Sequence, residues 1–212
     1  MVRYQHPVRG LAALRQLSAR PEAVERCELC AAEVPAEHSH LVDPESRRLL
    51  CACDACAILF DHAGSRRYRR LPRDVRQLRG LEVSDVLWNS LDIPIGLVFF
   101  FRSSISNKIL AVYPSPGGPT ETSIEEEVWK DMADLHHALA TLSPDVEAFL
   151  VNRTRGDREY YIVPIDECYK LTGIIRSRWR GFSGGDELWA QVRLFFDGLR
   201  QRVRPETSAG HA

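Results

Sequence analysis

The most apolar stretch of the chain is Ile95-Gly-Leu-Val-Phe-Phe-Phe101, which has no polar face. It is too short to span a membrane and reads as a strand covered on both sides. Before it, Ser84 to Leu91 predicts a short helix that Ile93-Pro94 ends. After it, Asn107-Lys108 fits a turn, and Ile109-Leu-Ala-Val-Tyr113 predicts the paired strand. Pro114 to Pro119 reads as a rigid loop. Ser123 and Glu126 have capping-box spacing, and Ile124, Val128, Met132, Leu135, Leu139 and Leu142 form an apolar stripe. That stripe predicts a helix of about five turns. Val146–Val151 and Glu159–Val163 predict strands joined by a turn at Arg155-Gly-Asp157. A loop rich in Arg and Gly follows over 176–185. A last helix is expected from about Asp186, with Leu188, Val192, Phe195, Leu199 and Val203 on one face.

The first third of the chain is patterned differently. Leu11, Leu14 and Leu17 predict a helix that Arg20-Pro21 stops. His38–Asp43 and Arg47–Cys51 predict a hairpin around Pro44-Glu-Ser46. A helix beginning near Cys53 and ending at Gly64 comes next. Seven arginines then crowd into 65–80, at positions 66, 67, 69, 70, 73, 76 and 79. The expected organisation is an N-terminal helix (1–23), a metal-knuckle module (24–64), a basic linker (65–80), an α+β domain (81–205) and a disordered tail (206–212). The fold class is α+β: a small treble-clef or zinc-ribbon-like module followed by an antiparallel-sheet α+β domain. The order of elements in that domain is compatible with a repeated ββα unit, ββαββα, with helices on one face.

Formal net charge is −1, so bulk charge points to neither a nucleic-acid nor a membrane partner. The first residues contain no apolar stretch of signal-peptide length, and no membrane span is expected. A cytoplasmic location is the expectation. There, clustered thiols read as metal ligands before disulfides.

Five of six cysteines fall within thirty residues. Cys27-Glu-Leu-Cys30 and Cys53-Asp-Ala-Cys56 are two CxxC turns at the separation of zinc ribbons and treble clefs. Two such turns can close a tetrahedron of thiolates around one ion, and a helix starting at the second favours thiolate over thiol. Cys27, Cys30, Cys53 and Cys56 are the expected ligands. Cys51 is an alternate to Cys53, because residues two apart on a strand project the same way. His38 and His40 are further alternates, either as ligands or as hydrogen-bond donors to a ligand. Zinc is the expected metal. Iron in a rubredoxin-like site is the rival, disfavoured because Ala31 and Ala57, rather than Gly, follow the knuckles.

Other motifs carry less. His40 is placed as the base of an HNH nuclease would be, but Ala57 stands where a metal-binding His would be needed. Arg67-Tyr68-Arg69 interleaves an aromatic with cations as a nucleic-acid surface does. A solvated face paired with Glu125-Glu-Glu127 is the plainer account. Gly184-Gly-Asp-Glu187 matches the diguanylate cyclase signature, yet it opens a helix rather than a hairpin. His136-His137 lacks a further ligand at helical spacing. Cys168 has acidic neighbours that oppose a thiolate, so it reads as a buried small residue. No catalytic set and no organic-cofactor motif emerges.

Arg26-Cys-Glu-Leu-Cys30, Leu49-Leu-Cys-Ala-Cys-Asp-Ala-Cys56, Tyr68-Arg-Arg-Leu71 and Val98-Phe-Phe-Phe-Arg-Ser-Ser104 resemble an uncharacterised actinobacterial family. Tyr113-Pro-Ser-Pro116, Ala148–Arg153 and Trp179–Gly185 extend the likeness over roughly 24–203. Members are encoded beside nickel–iron uptake hydrogenases. The resemblance implies a hydrogenase-associated accessory role and assigns no catalytic residue. The expected protein is therefore non-enzymatic and zinc-bearing, with a protein partner such as a hydrogenase subunit or maturation factor. A rubredoxin-like electron carrier and a nucleic-acid-binding treble-clef protein are the alternatives.

Overall fold

The computed structural model describes residues 24–61, 67–115, 118–181 and 184–203. The helix expected in 1–23, the stop at Gly64 and the tail at 206–212 lie outside the described residues.

The hairpin forms where alternation predicts it. β1 (Ser39–Asp43) and β2 (Arg48–Ala52) pair antiparallel, with His40 opposite Cys51. The turn between them is held by the Asp43 carboxylate, which accepts from the N–H groups of Glu45 and Ser46 at 3.0 and 3.2 Å. α1 (Asp54–Phe60) follows directly, and β3 (Arg69–Arg70) adds to the free side of β1. The small sheet has the order β2-β1-β3.

The second sheet comprises β4 (Arg76–Gln77), β5 (Leu97–Arg102), β6 (Ile109–Ser115), β7 (Gly118–Ile124), β8 (Glu147–Asn152) and β9 (Glu159–Pro164). Its order is β4-β9-β8-β5-β6-β7, and every pair is antiparallel. Five helices accompany it: α2 (Asp85–Ser90), α3 (Glu126–Ala133), α4 (His137–Ala140), α5 (Ile165–Arg178) and α6 (Gly185–Arg202). The β8–β9 turn is tight. Arg155 and Gly156 both take positive φ (54° and 91°), and Asp157 N–H donates to the Thr154 carbonyl at 2.9 Å. That backbone follows the twist of the strands it joins.

The fold is mixed α+β with antiparallel sheets, as expected, but helices cover both faces of the larger sheet. Leu97, Phe99 and Phe101 face α5 and α6, whereas Val98 and Phe100 face α3 and α4. This two-sided burial is why β5 carries no polar residue before Arg102.

Beyond the short strands β3 and β4, which lie within the expected basic linker, three elements depart from the sequence reading. Gly118–Ile124 is an edge strand, not a loop and cap, and Ser123 pairs with Leu110 within it. Glu125 is then the N-cap of α3. The predicted five-turn helix breaks at His136, which is extended (φ −157°, ψ 126°); its Nδ1 accepts from Ala138 N–H at 3.2 Å and starts α4. Met132, Leu139 and Leu142 are buried despite the break, but Leu135 is exposed. Finally, α5 covers 165–175, to which the sequence pattern assigns no element, and runs three residues into the expected loop. Residues 97–202 thus run βββααββαα rather than as a repeated ββα.

The small sheet shares a core with the large one. Val42, Leu71 and Val75 pack in the cluster that holds Phe99 and Phe101. Around this contact, Arg69 reaches Asp145 at 3.2 Å, Arg76 reaches Glu147 at 2.6 Å, and Arg47 pairs with Glu121 while lying over the Phe101 ring. The arginines at 69–76 find partners, but these are Asp145, Glu147, Asp54 and Ser39 rather than the Glu125–Glu127 turn.

Candidate metal centre

Residues 27–34 make a tight knuckle. Ala31 N–H donates to the Cys27 carbonyl at 2.8 Å, and Cys27 N–H donates to the Ala32 carbonyl at 2.8 Å. The return requires a left-handed residue, and Ala31 supplies it at φ 61°. Glu28 fastens the knuckle to the hairpin: its N–H donates to the Cys51 carbonyl at 2.9 Å, and its carboxylate accepts from Cys51 N–H at 3.0 Å. The second knuckle is the start of α1. Cys53 is the N-cap, and its sulfur accepts from Cys56 N–H at 3.5 Å.

These two turns bring Cys27, Cys30, Cys53 and Cys56 together, with all four sulfurs within 4.8 Å of one another. Cys30 Sγ lies 3.7 Å from Cys53 Sγ, and every cysteine is free of disulfide bonding. A sulfur tetrahedron with bonds of about 2.3 Å has edges of about 3.8 Å. The pair therefore stands at the separation set by a shared ion, far beyond the ~2.05 Å of a covalent bond.

The electrostatics suit cation binding. Burial pushes the Cys27 thiol up, but the backbone N–H groups of Cys53, Leu29 and Cys30 outweigh it and bring Cys27 down to about 6. Burial and the adjoining Cys30, Cys53 and Cys27 sulfurs push Cys56 up to about 12. One thiolate forms readily and the last is opposed by its neighbours. A divalent cation removes that opposition, since metal binding takes the protons off. The four cysteines can hold a metal ion.

The alternates go elsewhere. β2 ends at Ala52, so Cys53 has left the strand and does not share the direction of Cys51. Leu41 and Ala52 face the knuckles, whereas Val42 and Leu49 face the larger sheet. His40 and Cys51 share the latter face by strand alternation. His38, His40 and Cys51 form a second group, their ligand atoms within 4.8 Å of one another. His40 Nδ1 meets Asp166 Oδ2 at 2.7 Å. The sequence does not single out Asp166, because the helix that presents it is not predicted. Cys168 is fully buried two residues on, and burial raises its thiol well above the ordinary value.

A model for a family of unknown function, DUF5947, matches residues 26–203. The chain belongs to the DUF5947 family. The match begins at the first knuckle and ends with α6, so both sheets and both cysteine turns fall within the family's domain. No curated protein and no solved structure matches the chain. Among the described residues, no helix is long and apolar enough to cross a membrane.

Proposed function

We propose that this DUF5947 protein is a non-enzymatic accessory protein whose Cys27, Cys30, Cys53 and Cys56 hold a structural zinc ion. The observation that carries this reading is the meeting of four sulfurs from two separate turns, with one edge at 3.7 Å. All four positions of the tetrahedron are filled by protein, which is the arrangement of a structural rather than a hydrolytic zinc. The ion ties the first knuckle to α1 and so fixes the outer side of that helix, where Ile58 and Leu59 are largely exposed. That side is a surface for a protein partner. The likeness of the knuckle and strand sequences to proteins encoded beside nickel–iron hydrogenases supports a hydrogenase subunit or maturation factor as that partner. The pairing of Arg69, Arg73 and Arg76 within the protein argues against a phosphate-binding run.

Metal analysis and an absorption spectrum of the purified chain test the zinc assignment. Zinc and a colourless protein are expected; iron with visible charge-transfer bands would establish the electron-carrier reading instead. Cys27→Ser and Cys56→Ser should each lose this ion and open the first module, since such sites supply folding energy directly. Metal content unchanged in both variants would overturn the site. Co-purification of a hydrogenase subunit that Ile58→Glu abolishes is the expected result for the partner, and normal hydrogenase activity in a strain lacking this gene would remove it.

A further inference from the structure

A second constellation, separate from the four cysteines, lies on the inner face of the hairpin. His40 on β1 is directly opposite Cys51 on β2, and His38 precedes β1 on the same side. The two rings meet edge to face, with centroids 4.7 Å apart. Their Nε2 atoms face each other at 3.2 Å.

The other nitrogens fix what those Nε2 atoms carry. His40 Nδ1 is 2.7 Å from the Asp166 carboxylate, and His38 Nδ1 is 2.9 Å from the Pro35 carbonyl. Both partners are acceptors only, so each Nδ1 holds the ring proton. In the neutral rings both Nε2 atoms then carry lone pairs, 3.2 Å apart. Two lone pairs at that range repel, and a cation between them turns the repulsion into attraction. Imidazole nitrogens at about 2.05 Å from a tetrahedral ion are about 3.3 Å apart. Cys51 Sγ completes a group within 4.8 Å.

We propose that His38, His40 and Cys51 bind a second divalent transition-metal ion, with its fourth position open to solvent. Two imidazoles and one thiolate are a borderline-soft donor set suited to zinc or cobalt. Asp166, from the first turn of α5, is the positioning residue: it fixes the His40 tautomer and raises the basicity of the ligand nitrogen. His38, His40 and Asp166 also line a cleft of about 740 Å³ between the hairpin and the α5–α6 pair, in which Arg73, Lys170 and Arg202 are balanced by Glu37, Asp166 and Glu167. The open position is left to a water molecule from this cleft. Binding leaves both imidazoles neutral and takes the proton from the Cys51 thiol.

The test counts metal. The full chain, dialysed against excess Zn²⁺ and then against metal-free buffer, should retain two equivalents. X-ray absorption should show nitrogen as well as sulfur neighbours. Cys51→Ser and the double change His38→Ala, His40→Ala should each retain one equivalent, with an all-sulfur environment in the latter. Cys27→Ser opens the module that carries His38, His40 and Cys51 and should lose both ions, whereas Cys51→Ser and the double histidine change spare the four cysteines, so loss of the four-cysteine site and loss of this one are distinguishable. Asp166→Asn, which leaves all three ligands in place, should weaken the second Zn²⁺ by about 10–100-fold. A single equivalent in the wild-type chain would overturn the proposal, as would two equivalents retained in the double histidine variant. A proton shared between the rings at saturating Zn²⁺, seen by nitrogen NMR, would also overturn it.

Discussion

Ala31 and Ala57 hold matching places, each one residue beyond the second cysteine of a knuckle, yet replacing each by glycine should have opposite effects. Ala31 sits at φ 61°, where an L side chain is strained. That strain is worth about 1–2 kcal/mol, and the greater freedom of an unfolded glycine returns about 0.4–1 kcal/mol of it. Ala31→Gly should therefore stabilise the module by about 0.5–1 kcal/mol. Ala57 is fully buried inside α1. Glycine there loses about 1 kcal/mol of helix propensity and about 0.8 kcal/mol of buried methyl, so Ala57→Gly should cost about 2 kcal/mol. All four tryptophans, at 88, 129, 179 and 189, lie outside the module and do not report on it. Unfolding should instead be followed in urea by release of the bound metal to a chromogenic chelator, with hydrogen exchange of residues 27–34 as a second probe. The midpoint should rise for Ala31→Gly and fall for Ala57→Gly. Two shifts of the same sign would refute the assignment of a left-handed knuckle at the first turn and a helical one at the second.

Gly96→Ala should destabilise the larger sheet by about 1–3 kcal/mol in denaturant titration followed by tryptophan fluorescence, because the new Cβ would lie 2.6 Å from the Arg153 carbonyl oxygen. Gly173→Ala, at an open position inside α5, should stabilise by about 0.5–1 kcal/mol in the same assay. Cys168→Ser places a hydroxyl in a fully buried apolar site, so it should lower stability by about 1–3 kcal/mol and leave metal content unchanged. Arg158 and Arg153 hold the Asp85 carboxyl below its usual range. Its stabilising contribution is complete above the ordinary carboxylate value and fades as pH falls through the lowered one. Asp85→Asn should thus reduce the thermal midpoint at pH 7, and the difference from wild type should shrink as pH falls below the carboxylate range.

The knuckles, the hairpin and the four central strands were legible because each is local: CxxC spacing, period-two alternation, and a run of apolar residues too short for anything but a strand. β7 was not, since Gly118-Pro-Thr-Glu-Thr-Ser-Ile124 is polar and its strand character comes from pairing with β6. The resemblance of Ser123 and Glu126 to a helix cap compounded the error. α5 was obscured by Thr172, Gly173 and two isoleucines, all weak helix formers, although Ile165, Cys168, Leu171 and Ile175 do recur at helical spacing and are buried. Missing that helix also hid Asp166. Spacing alone could not separate Cys51 from Cys53. What divides them is the end of β2 at Ala52, after which the chain turns into a helix and the two sulfurs part company.

The polar outer strand bears on how the protein behaves when crowded. A terminal strand offers its unpaired amides to any passing chain, and apolar flanks make that encounter stick. Here the rim bears Thr120, Glu121, Thr122 and Ser123, and Pro119 withholds an amide hydrogen altogether. Concentrated solutions should accordingly stay clear of cross-β fibrils nucleated on this border, even though the strands just inside it are among the most aggregation-prone sequences in the molecule.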